Sequence, residues 1–210
     1  MKPFSAHQIA LASVVLGVGV MFAGCQISLF DDLSLESLNS PNPYIQEAIE
    51  RNPDNFHAWY LLGKDNLQNG LANEALVAFG KSKELKPAFE EARLGIAYAQ
   101  LKLERWARAE GEFRELLALN PDSSEGHEGL SLALLKLEKD DEAKISAQRA
   151  LELDPALPRA HAVLGRIAYG QMDYKTAELH WSEALAQGFT PQDLEPMYQD
   201  LRRMLDKYSE

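Results

Sequence analysis

Cysteine is nearly absent: the 210 residues contain one, Cys25. A single thiol excludes an internal disulfide, and without a second thiol beside a histidine pair the usual zinc ligand sets are excluded too. Basic residues are also scarce. There are 21 Lys and Arg against 32 Asp and Glu, a formal net charge of −11. Phosphate binding needs clustered cations to displace counterions, so nucleic acid is not an expected partner. Also missing are a glycine-rich phosphate loop and a nucleophile with a base placed beside it. The five histidines include no pair at the spacing that sets two ligands on one helical face. His127 and His161 read as packing residues, His180 precedes the core residue Trp181, and the carboxylates read as solvated helix faces. The chain is therefore expected not to be an enzyme, with no catalytic residue, cofactor, metal or small-molecule substrate.

Long uncharged runs are missing as well, except at the start. Residues 1–24 begin with Lys2 and then run apolar from Ile9 through Ala23, the form of a secretory signal. The run ends in Phe22-Ala23-Gly24-Cys25, which resembles the bacterial lipobox, with phenylalanine where that pattern prefers leucine. The resemblance implies cleavage before Cys25 and lipid on its thiol. Gln26, where aspartate would resemble an inner-membrane retention signal, resembles sorting to the outer membrane. The alternative is an uncleaved inner-membrane span: Ile9 to Phe30 is 22 residues without a charge, about 33 Å of helix against a hydrocarbon core of about 30 Å. Either way the rest of the chain faces the periplasm, because the early positive charge precedes the run and Asp31, Asp32 and Glu36 follow it. Residues 25–42 read as a tether.

What dominates the rest is a period. Residues 56–89, 90–123, 124–157 and 158–191 form four consecutive 34-residue blocks without insertion or deletion. Aligned, they place a large apolar residue at position 7 (Leu62, Ile96, Leu130, Leu164) and a small one at 8 (Gly63, Ala97, Ser131, Gly165). Position 20 is alanine each time (Ala75, Ala109, Ala143, Ala177), and Phe79, Phe113, Ala147 and Trp181 share position 24. Small residues at 8, 20 and 27 let two helices approach, and a helical pair with one uncovered apolar side must be stacked upon by its neighbour. Pro87, Pro121 and Pro155 end the second helices, and Gly70, Glu104, Glu138 and Met172 fall in the turns between helices. Residues 43–54 read as an orphan second helix capping the N-terminal end. Residues 192–210 carry an apolar stripe, Leu194, Met197, Leu201, Met204 and Leu205, that suits a C-terminal cap.

At these positions the chain resembles the tetratricopeptide repeat family, the first block most closely through Ala58, Trp59, Leu62, Gly63, Ala75, Phe79 and Pro87. Departures are Arg93, His127 and His161 at the usual aromatic position 4, Leu116 at a small position, and Phe189 in place of a fourth proline. The resemblance implies an all-α, right-handed α-solenoid whose first helices turn positions 2, 5, 9, 12 and 13 into a concave groove for a peptide or helix of another protein. The groove residues so assigned are Tyr60, Lys64, Leu94, Tyr98, Leu101, Leu132, Leu135, Arg166 and Tyr169. The clamp by which some members hold a C-terminal carboxylate is absent, and Glu125 and Glu128 would repel one. By resemblance of layout, such exported chains help assemble pili, secretion channels or other envelope complexes. A membrane-spanning relative would instead resemble the repeat factors of cytochrome c maturation. Mass spectrometry of the mature N-terminus separates the two: a diacylated Cys25 is expected, and an intact Met1 would exclude the lipoprotein.

Overall fold

A computed structural model of the chain describes residues 42–189 and 194–208; Cys25 and the other expectations for 1–41 fall outside them. The described residues form ten α-helices and no strand. Helix α1 is Pro43–Arg51. Four pairs follow: α2 Phe56–Gln68 with α3 Ala72–Leu85, α4 Glu90–Lys102 with α5 Trp106–Leu119, α6 Ser124–Lys136 with α7 Asp140–Leu153, and α8 Pro158–Gly170 with α9 Tyr174–Ala186. Helix α10, Leu194–Tyr208, ends the stack. Consecutive helices pack on one another, and α2, α4, α6 and α8 also touch in turn, which makes an all-α repeat solenoid.

Each pair turns through the same motif. Gly70, Glu104, Glu138 and Met172 all have positive φ, at 79°, 56°, 59° and 62°. The residue after each donates its N–H back five residues, as Leu71 to Asn66, Arg105 to Gln100, Lys139 to Leu134 and Asp173 to Ala168. This is the left-handed helix stop that favours glycine, here held three times by other residues.

Packing between pairs depends on a wedge. The ring of Phe79, 1% exposed, fills the space beside two glycines: a Cβ on Gly63 would stand 2.5 Å from it and one on Gly95 2.6 Å. Phe113 lies against Gly129 in the same way, and Trp181 against Gly165. Where position 24 shrinks to Ala147, the place held by Gly95 and Gly129 in earlier blocks is taken by Val163, and both join one buried cluster. Volume is conserved across the interface, as close packing requires. Helix α10 extends the pattern by laying Met197 and Leu201 on the Trp181 cluster.

Position 4 shows what its departures share. Trp59 donates its ring N–H to Pro53 O at 2.7 Å, and Arg93 donates from Nε and Nη2 to Pro87 O at 3.2 and 3.1 Å. His127 Nε2 lies 2.9 Å from Pro121 O and His161 Nε2 3.4 Å from Pro155 O. The position supplies a nitrogen donor to the carbonyl that closes the preceding helix. With its Nε2–H committed, His161 accepts at Nδ1, so His180 Nδ1–H donates to it across 3.1 Å.

Some buried polar atoms lack such partners. The side-chain amide of Asn66, the Ser82 hydroxyl and the Gln100 carbonyl oxygen, all in α2 to α4, have no hydrogen-bond partner among the described residues.

The wedge and the histidine pair are both testable by melting. Gly129→Ala should cost about 1–3 kcal/mol by overpacking Phe113. Gly111→Ala, at an exposed mid-helix site with nothing near a new Cβ, should stabilise by about 0.5–1 kcal/mol. Burial, and then His161, hold His180 below its ordinary imidazole value. The folded chain thus binds this proton less readily than the unfolded one, so stability falls as pH drops from neutral through that value. Melting at pH 7.5 and 5.5 should show a smaller pH-dependent loss for His180→Asn than for the unsubstituted chain.

Candidate functional site

Positions 5, 9 and 12 of a 13-residue helix recur every three or four residues and therefore share a face. Because α2, α4, α6 and α8 lie side by side, their faces join into one surface. A cavity of about 620 Å³ runs along it. Its floor is apolar and aromatic, with Tyr60 and Leu67 from α2, Leu94, Tyr98 and Leu101 from α4, and Leu132 from α6. Its borders carry Lys64, Glu91, Lys102, Glu125, Lys136 and Arg159. A second cavity of about 170 Å³ continues among Leu135, Ala162, Arg166 and Met197. Leu132, Lys136, Arg159 and Phe189 are walls of both.

The residues assigned from the sequence thus fall into three groups. Tyr60, Lys64, Leu94, Tyr98, Leu101 and Leu132 line the larger cavity, and Leu135 and Arg166 the smaller. Leu101 is 7% exposed and belongs to the core with Phe113, so it is a wall with little free surface. Tyr169 turns its ring to Trp181 at 5.4 Å and Tyr174 at 5.8 Å, and its packing is with that cluster.

The tyrosines are half-buried and oriented. Tyr98 meets Phe113 edge-on at 5.5 Å and its hydroxyl lies 3.4 Å from Glu128 Oε2. Burial, then the Glu128 carboxylate, push that hydroxyl well above the usual phenol range, so it remains a donor. Tyr60 is raised in the same direction by burial, then by Glu91 and Glu125.

Glu128 corrects the electrostatic expectation. It is 3% exposed, and its carboxylate accepts the Arg159 backbone N–H at 3.1 Å and Arg159 Nη1 at 3.3 Å. Leu157, at the N-cap of α8, supplies no side-chain cap. Glu128 takes that role from the neighbouring unit, with its charge offset by Arg159 and the positive end of the helix. It is a structural carboxylate, and Glu125 alone of the two faces solvent.

Cations lie over the aromatic floor. Lys64 Nζ is 5.7 Å from the Tyr60 ring centre, Lys136 Nζ 5.7 Å from that of Trp106, and the Arg159 guanidinium 5.5 Å from that of Tyr98. Such placement holds Lys64 and Lys136 at an apolar surface, while Arg159 is held by Glu128 as well. Trp106 and Phe189 were not among the residues assigned from the sequence. Both come from outside the first helices, Trp106 from the first turn of α5 and Phe189 from the link after α9. The sequence signal is weak: the position of Trp106 holds Ala72, Asp140 and Tyr174 in the other blocks, and Phe189 stands where the other three blocks have proline.

A family model described as tetratricopeptide repeat matches residues 42–87 and 94–158, just over half of the chain. A comparison with curated protein sequences finds no match. Among solved structures, PilW, a type IV pilus biogenesis factor, is similar at 17% identity and a TM-score of 0.68, over 83% of this chain and 81% of that one. A thermophilic TPR protein of Thermus thermophilus is similar at 21% identity and a TM-score of 0.64, over 80% and 91%. The first TPR of Spaghetti (RPAP3) bound to the HSP90 peptide SRMEEVD shows 25% identity and a TM-score of 0.53, over 56% and 93%.

Proposed function

The chain belongs to the tetratricopeptide repeat family, and from that membership we propose that it is a membrane-tethered scaffold holding a peptide or helix of a partner protein in the groove of its first helices. One observation carries the reading: a cavity of about 620 Å³, built by three successive first helices, keeps half-buried tyrosines and leucines beside exposed lysines. A surface of that kind, aromatic at its centre and charged at its border, is how protein interfaces are composed. The Spaghetti domain binds its HSP90 peptide on the same repeat fold, which supports a peptide as the occupant here. The occupant differs in kind, because the carboxylate clamp is missing: its places hold Tyr60, Lys64, Gly95, Glu125 and Gly129.

In this reading lipid on Cys25 anchors the domain at the periplasmic side of the bacterial envelope, at the outer membrane. The tether raises the local concentration of the groove there. The setting is assembly of an envelope complex such as a pilus or secretion system, and no catalytic residue or cofactor takes part.

Site-specific photocrosslinking in cells carrying the full chain tests the groove. A benzophenone amino acid at Lys64 or Lys136 should yield an adduct with a partner protein. The same group at Ile145, 67% exposed on α7, should not. Adducts from Ile145 and none from the two groove positions would overturn the assignment.

A further inference from the structure

On α4 and α6 the charges of the groove are sorted by edge, while the first turn of α8 carries Arg159, paired with the buried Glu128. In α4 and α6 the first turn carries Glu91 and Glu125, and the last turn Lys102 and Lys136. The two helices are successive units of one repeat, so they run the same way and lie together. One edge is therefore doubly acidic and the other doubly basic. Eleven residues separate the members of each pair, about 16 Å at 1.5 Å per residue. Between them lies the floor of Leu94, Tyr98 and Leu132.

These four side chains are exposed, and none takes part in an ion pair among the described residues. Several charges elsewhere are paired across or along the helices, as Lys83 with Glu112, Lys139 with Glu110 and Arg149 with Asp122 and Glu152. The helix dipole accounts for glutamate at one end and lysine at the other. It does not account for both rows bordering the apolar cavity of about 620 Å³ with no ion-pair partner of their own.

Resting on the groove reading above, we infer that the occupant is an amphipathic helix lying across α4 and α6, with carboxylates along one flank and Lys or Arg along the other. A helix with side chains is about 10–12 Å across, which fits between rows about 16 Å apart with room for side chains to reach each row. Its apolar stripe meets the floor, its acidic flank meets Lys102 and Lys136, and its basic flank meets Glu91 and Glu125. Because the two flanks differ, only one direction of the helix satisfies both rows, so the groove selects polarity as well as composition.

Selection from a displayed library of helical peptides with randomised flanks tests this directly. On the unsubstituted protein, enriched peptides should carry opposite charges on their two flanks, and binding should weaken about tenfold or more when one flank is changed to glutamine and lysine is exchanged for glutamate on the other. On Lys102→Glu with Lys136→Glu, enriched peptides should become basic on both flanks. On Glu91→Lys with Glu125→Lys, they should become acidic on both. All four sites are exposed, and circular dichroism of each variant confirms the helices. Enrichment of the same flanks on all three proteins would overturn the inference while leaving groove binding intact, provided Leu94→Arg still abolishes capture. Capture insensitive to Leu94→Arg, or no enrichment at all, would remove the groove reading itself and the inference with it.

Discussion

The stack rests on one steric exchange, in which a bulky side chain from the second helix of three of the four units occupies room that glycine leaves on the first helices around it. Phe79 spans Gly63 and Gly95, Phe113 reaches Gly129, and Trp181 reaches Gly165. Phe79 joins the two helices of its own unit, and Phe79 and Phe113, through Gly95 and Gly129, set the next unit at a fixed spacing. The spacing decides how far apart the first helices stand, and so how much space opens between Tyr60, Tyr98 and Leu132. The third unit shows that volume is the quantity conserved: Ala147 and Val163 exchange the large and small roles within one cluster.

Much of this could be read from the residues alone, because the period, the small positions and the aromatic that follows them are local features of a chain that folds by repetition. The all-α solenoid follows from that register. Chemistry hidden under unlike side chains was harder to see. Arg93, His127 and His161 look like failures of an aromatic rule, yet each, like Trp59, presents a nitrogen to the proline carbonyl six residues before it. The groove was legible where first helices alone build it, as at Leu94 and Leu132. It was not where other elements enter. Trp106 and Phe189 come from neighbouring segments, and the ring that would free Tyr169 for a partner is claimed by Trp181.

Glu128 illustrates why a formal charge is a poor guide to a surface field. Counted from the sequence, the groove holds an acidic patch. In the fold that carboxylate is below the surface, capping α8 and neutralised by Arg159, while the hydroxyl of Tyr98 leans on it. What remains to face a visitor is the solvent-exposed set, and on α4 and α6 the signs there are separated by the direction of the helices that carry them. An acidic protein can in this way present a groove with a basic border.

The side-chain amide of Asn66, the Ser82 hydroxyl, the Gln100 carbonyl oxygen and His127 Nδ1 are shut inside α2, α3, α4 and α6 without partners among the described residues. Cohesion in a linear array adds unit by unit, and each such orphan subtracts about 1–3 kcal/mol from the unit that contains it. Three of these four residues fall in α2 to α4, so the first two units carry most of this loss. Because α2 and α4 also line the cavity, a pull that loosened these units would open the groove itself and let go of whatever it held.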